Sequence, residues 1–114
     1  MTPEQRAFGS RVFAALANPA RLYILERLAT GPASVKEIAE ATGLKQSMTS
    51  QHLAVLLNAG VVVCASEGNH RIYSLRGPRV AHILELLTEF YAVHLDNLRS
   101  LLAQQSEGGV ILVN

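Results

Sequence analysis

The sequence is poor in charge, in aromatic side chains and in cysteine. Of its 114 residues 17% are charged and 5% aromatic, and Cys64 is the sole cysteine. One cysteine excludes an internal disulfide and an all-cysteine metal cage within one chain. No apolar run approaches the roughly 18 residues that a membrane-spanning helix requires. The opening "MTPEQRAFGS" lacks the apolar core of a signal peptide, so the expectation is a cytoplasmic protein without membrane contact. Enzyme signatures are missing as well: no Ser/His/Asp or Cys/His set converges, and no Gly-rich phosphate loop occurs. What is present is aliphatic. Hydrophobic residues reach 49%, enough for one core in a single domain over 1–114, and the scarcity of charge implies that a partner covers part of the apolar surface.

The sparse charges are unevenly spread. Residues 41–80 hold Lys45, Arg71, Arg76 and Arg79 against Glu67, a net of +3, whereas residues 81–114 hold Arg99 against Glu85, Glu89, Asp96 and Glu107, a net of −3. The middle third suits a polyanion and the last third does not. Within that middle third, "GLKQSMTSQHLAVLLNAG" (Gly43 to Gly60) reads as a helix between two glycines with no carboxylate and one lysine. A water-facing helix side normally carries charge. A side built from Gln46, Ser47, Ser50 and Gln51 therefore suggests something other than water opposite it.

Helical spacing of Phe8, Val12, Ala15 and Leu16 predicts a first helix over 3–17. Asn18 as N-cap and Pro19 at the first helical position begin a second, with Leu22, Ile24 or Leu25, and Leu28 as its buried stripe. A third starts with Ser34 and Glu37 as a capping box, turns Ile38 and Ala41 inward, and ends at Gly43. After the Gly43–Gly60 helix the period becomes strand-like: "VVVCAS" and "HRIYSL" flank a three-residue loop, Glu67-Gly68-Asn69. One long helix then runs from Pro78 to about Gln104, about 40 Å at the helical rise, longer than a domain of this size covers alone. The tail over 105–114 follows a Gly-Gly break and packs as a short strand or frays.

The order ααααββα, mainly α with a small β-hairpin (α+β), describes a winged helix–turn–helix: helix–turn–helix over 34–60, wing over 61–76. On the fourth helix Thr49, Leu53, Leu56 and Gly60 share one side, and Ser47, Ser50, Gln51 and Ala54 the other. Glutamine can read adenine bidentately, and serine or threonine serves bases or phosphates. Lys45 stands where an N-cap Ser or Asp is expected and opposes the helix dipole. That makes sense beside a phosphate, although a solvated lysine is the plainer alternative. The candidate DNA contacts are Lys45, Gln46, Ser47, Thr49, Ser50 and Gln51, with His70 and Arg71 on the wing, where Arg71 suits a narrow minor groove. His52, between Gln51 and Leu53, braces the helix rather than reading a base.

The stretches "LANPARLYIL", "SQHLAVLLNAG" and "RIYSL" strongly resemble the ArsR/SmtB family of bacterial metalloregulators over about Leu16 to Leu75. The resemblance implies a sequence-specific, repressor-type transcriptional regulator, a homodimer held by the first and last helices (1–17 and 78–104), and a palindromic operator on double-stranded DNA. Its recognition helices would lie about 34 Å apart. Phe8, Val12, Ile83, Leu87, Phe90, Tyr91, His94 and Leu98 are the candidate interface residues. The family's sensing sites do not carry over: Ser34 and Lys36 replace its Cys-x-Cys, and Gly77, Arg79, Phe90 and Val93 fall on its Asp-x-His and His-x-x-His/Glu positions.

Little is left for sensing. His82 and Glu85 share one helical face, and in a dimer they could approach His94 of the other chain, an N/O set suited to nickel or zinc. A hydrogen-bonded core histidine and a surface pair are the plainer readings of those residues. Cys64 reads as a small buried hydrophobe. The alternative function is a winged-helix module for protein contacts, or a DNA-binding subunit whose sensing is done by a second protein; Leu57, apolar where a charge is common in the family, fits that reading or packs on the wing.

Overall fold

The computed structural model describes residues 1–106, so the readings made for the tail beyond Ser106 lie outside the described residues. The chain divides into two compact units, Met1–Ala81 and the part from His82 onward.

The first unit contains α1 (Pro3–Leu16), α2 (Pro19–Leu28), β1 (Ala33–Ser34), α3 (Val35–Thr42), α4 (Gln46–Asn58), β2 (Val62–Glu67) and β3 (His70–Leu75). Local chemistry sets most of these boundaries. Thr2 and Gln5 form a capping box on α1, and Asn18 caps α2 by accepting from the Arg21 N–H at 3.1 Å. Ser34 and Glu37 cap α3 reciprocally at 3.2 and 3.0 Å, and Gly43 closes it with φ 74°, where a side chain would be strained.

The core lies where α2 packs on α3, α4 and β3. Ile24, Leu25, Ile38, Leu53, Leu56 and Val62 are fully buried, and Ala15, Leu28 and Tyr73 nearly so. Truncating any one of the buried leucines to alanine would cost about 2–5 kcal/mol. On α3 the inward side is Val35, Ile38, Ala39 and Thr42. Ala41, expected inside, is exposed, because the helix turns its Thr42 edge towards the core.

Three strands, in the order β1-β3-β2 and all antiparallel, replace the expected two-stranded hairpin. The addition is β1, which pairs Ala33 with Tyr73 and Ser34 with Ile72, so Ser34 is at once a strand residue and the cap of α3. Glu67 pairs with His70, which leaves a two-residue turn, Gly68-Asn69, instead of three. Gly68 alone has a positive φ, 63°, as a type II′ turn needs at its first central position.

The helix that opens at Pro78 carries the chain into the second unit. It is interrupted: α5 spans Pro78–Val93 and α6 spans Leu95–Ser106, with His94 between them. Helical hydrogen bonds flank the break, His94 N–H to Phe90 O at 3.1 Å and Leu98 N–H to His94 O at 2.9 Å. No proline or glycine is responsible; Val93, His94, Asp96 and Asn97 concentrate weak helix formers at that point. No described residue of α5 is buried, and Ile83, Leu87, Phe90 and Tyr91 are each 42–57% exposed.

Candidate nucleic-acid interface

Helix α4 is held by one side. Thr49, Leu53 and Leu56 are fully buried at i, i+4 and i+7, so the opposite side faces outward by helical geometry. Ser47, Ser50, Gln51 and Ala54 are exposed there, and Lys45 and Gln46 are exposed at the start of the helix. Between Gly43 and Gly60 nothing on that face would repel a polyanion.

Thr49 is a correction. The sequence places it among the DNA contacts, yet it is 0% exposed and its hydroxyl donates to Lys45 O at 3.0 Å. The same carbonyl accepts the Thr49 N–H at 2.9 Å, so Thr49 secures the first turn and does not reach a base.

Lys45 occupies the N-cap with extended backbone (φ −64°, ψ 145°) and makes no side-chain cap bond. The positive end of α4 thus combines uncapped helix geometry with an exposed ammonium, an arrangement suited to an anion. Two apolar neighbours share the exposed surface of α4. Met48 and Val55 are 42% and 40% exposed on α4, and apolar groups there suit a thymine methyl. The helical wheel contained that signal, since neither lies on the Thr49–Leu53–Leu56 side.

The back of α4 is tied down by arginines. Arg21 Nη1 lies 3.4 Å from Nδ1 of half-buried His52. Arg11 Nη2 donates to Asn58 O at the far end, at 3.3 Å. Arg76 donates to Gly60 O at 2.8 Å, so this contributor to the basic middle third is engaged with backbone. Lys45, Arg71 and Arg79 remain exposed.

On the wing, Glu67 pairs with His70 and Ser66 with Arg71, so successive side chains lie on opposite faces. The two wing candidates therefore separate. His70 lines an open groove of about 580 Å³ with Ser34, Glu37, Glu67, Gly68 and Ile72, on the acidic side. The backbone hydrogen bond from Ser34, then its side-chain hydrogen bond and the charge of Arg27, hold the Glu37 carboxyl below its ordinary value, keeping that side anionic. Arg71 projects from the other face, away from both carboxylates.

The metal candidates are not assembled. His82 Nδ1 approaches Glu85 Oε2 at 3.6 Å, with both side chains mostly exposed, and the His94 ring lies against Phe90 at 4.8 Å between centroids. Among the described residues no group of three or more His, Cys, Asp or Glu could hold a metal ion. The positions where the resemblance would put ligands carry Ser34, Lys36, Gly77, Arg79, Phe90 and Val93, so this chain does not fit those sites. Cys64 is a free, half-buried thiol paired across the sheet with Tyr73, less enclosed than expected. Leu57 is likewise half-buried. Among the described residues no helix is long and apolar enough to cross a membrane.

Comparison with known proteins meets this geometry. The family described as "Bacterial regulatory protein, arsR family" matches residues 18–63, which contain α2, α3 and α4. The HTH-type transcriptional regulator NmtR of Mycobacterium tuberculosis is 46% identical over 71 residues, covering 62% of this chain and 59% of that one. A second HTH-type transcriptional regulator of that organism, Rv0081, is 39% identical over 98 residues, 85% of this chain and 86% of its own. Its crystal structure superposes with a TM-score of 0.75, covering 85% and 97% of the two chains at 37% identity. The solution structure of a homodimeric winged helix–turn–helix DNA-binding domain from Mycobacterium bovis, described as a possible ArsR-family regulator, gives 0.76 at 34% identity, covering 85% and 93%.

Proposed function

The chain belongs to the ArsR family of DNA-binding transcriptional regulators, and from that premise we propose that it works as a homodimeric repressor on a palindromic operator. The observation that carries the proposal is the outward side of α4: exposed Ser47, Ser50 and Gln51, with Gln46 exposed in the first turn, and no carboxylate, on a helix whose other side buries Thr49, Leu53 and Leu56. In this reading Gln46, Gln51 and Ser50 face base edges in the major groove, and Ser47 and Lys45 engage phosphates at the start of α4. Arg71 reaches the adjacent minor groove. His70, on the acidic face of the wing, makes at most a peripheral contact. The family's function is transcriptional regulation and not catalysis.

Dimerisation is assigned to α1 and to α5–α6. Phe8 is 62% exposed, and Leu87 and Phe90 are 52% and 57% exposed, more apolar surface than a lone chain leaves to water; Val12, Ile83, Tyr91, His94 and Leu98 complete the set. The homodimeric state of the Mycobacterium bovis domain supports this assignment. The test is an anisotropy titration of the purified protein on its own promoter region, repeated across salt. Sequence-preferring binding with a steep salt slope is expected. Absence of any preference by the pure protein, restored by a second protein, would favour a partner-dependent module instead.

A nickel or zinc response would require His82 and Glu85 to be joined by His94 of a second copy, because among the described residues one chain does not bring three ligands together. Calorimetry with each metal on wild type and His82→Ala decides this. Binding that is the same in both proteins, or missing from both, removes the site.

A further inference from the structure

Two arginines connect α1 to α4, and neither connection belongs to the hydrophobic core. Arg21 sits in the first turn of α2, where its own N–H is fixed by the Asn18 cap. Its guanidinium then spreads over three acceptors: Nε donates to Ala15 O, Nη2 to Ala14 O at 3.4 Å, and Nη1 lies 3.4 Å from His52 Nδ1. Ala14 and Ala15 belong to the last turn of α1, whose negative end a cation complements; Ala14 O also accepts the Ala17 N–H at 3.4 Å. Arginine has only donors, so a hydrogen bond at this contact uses His52 Nδ1 as the acceptor. Arg11, from within α1, reaches Asn58 O at the other end of α4.

Buried Thr49, Leu53 and Leu56 fix which side of α4 faces the core. The arginine contacts grip α4 at separate points, and half-buried His52 follows exposed Gln51 in the chain. A roll of α4 that carried Gln51 would also displace His52 relative to Arg21.

We propose that Arg21, with Arg11, is a positioning residue that locks the orientation of α4 to the end of α1, so that pairing of two copies through α1 sets the spacing at which the two α4 helices meet DNA. The proposal rests on the homodimeric, operator-binding reading above. It assigns these arginines to geometry and not to phosphate neutralisation, although their charge alone would suggest the latter.

The test uses the full chain and the palindromic duplex it selects from a random-sequence pool. Arg21→Lys keeps a cation at the α1 carbonyls but loses the planar fork, and His52→Ala removes the acceptor while leaving the carbonyl bonds intact. Each is expected to weaken operator binding about three- to tenfold, the scale of one hydrogen bond, with the double variant no worse than the poorer single one. The salt slope is expected to stay unchanged. On duplexes whose half-sites are moved one base pair closer or farther, the penalty suffered by wild type is expected to shrink in both variants, which a mere loss of stability would not produce. Unchanged affinity and spacing preference in His52→Ala and Arg21→Lys would overturn the proposal. So would a fall in salt slope in Arg21→Lys, or strictly additive losses. If wild type itself selected no sequence, the DNA-binding premise would fall first, and visibly so.

Discussion

Replacing Lys45 by serine should move stability and DNA binding in opposite directions. Lys45 sits at the N-cap of α4 with the extended backbone that a serine cap requires, yet its side chain caps nothing. Serine at this position should supply the missing bond to a first-turn amide, a gain of about 1 kcal/mol. Removing a cation from the positive end of the helix adds about 0.3 kcal/mol. The melting temperature should therefore rise by several degrees, at about 4–8 °C per kcal/mol for a small domain. DNA binding should weaken, because a dimer loses two phosphate contacts. At about 0.9 per contact the slope of log affinity against log salt should flatten by about 1.8. Between 50 and 200 mM salt the ratio of wild-type to variant affinity should then narrow by about tenfold. Thermal unfolding and anisotropy titrations at several salt concentrations measure both effects. Lys45→Ala serves as the control, losing the slope without gaining a cap. A variant that is less stable than wild type, or one that keeps the full salt slope, would refute the reasoning.

Three further outcomes are expected. Thr49→Val should cost about 1 kcal/mol or less in urea unfolding, because Lys45 O keeps the Thr49 backbone N–H when the hydroxyl goes, and the operator preference should not change; a selective loss of DNA affinity would show that Thr49 does touch DNA. The folded pKa of Glu37 is depressed below 4.5, so its ionised carboxyl contributes stability fully above that value and loses the contribution as pH falls through the depressed one. Wild type should thus melt higher than Glu37→Gln near neutrality, with the gap closing on acidification; a gap independent of pH would contradict the capping account. Leu87→Glu, placing a carboxylate from each copy in the proposed interface, should yield monomers in sedimentation and lower operator affinity by more than about a hundredfold, from an unpaired-charge cost of about 3 kcal/mol or more. A dimer that persists unaltered would move the interface elsewhere.

Much of α4 was legible in the sequence because its signals are local and periodic. Leu53 and Leu56 repeat at helical spacing from Thr49, and Asn18, Ser34 and Gly43 mark helix ends within a few residues of one another. The same period should have removed Thr49 from the DNA contacts and added Met48 to the outward side. Strand alternation alone should have separated His70 from Arg71. Other features had no local signal to read. Strand β1 exists because Ala33 and Ser34 meet Tyr73 and Ile72 from far along the chain. The Arg21–His52 contact joins two polar residues 31 positions apart, a pairing that only the packing of α2 on α4 creates. The interruption at His94 reflects several weak helix formers together, each tolerable alone.

The central claim is that the outward side of α4 reads base sequence, and Gln51 tests it most directly. Selection from a random duplex pool by wild type and by Gln51→Ala, at one fixed salt concentration, compares their preferences position by position. The account predicts a two-fold symmetric site for wild type, relaxed in the variant at one position of each half-site, with a penalty of about 1–3 kcal/mol confined there and an unchanged salt slope. Identical profiles for the two proteins, or a loss spread evenly over all sequences, would contradict it.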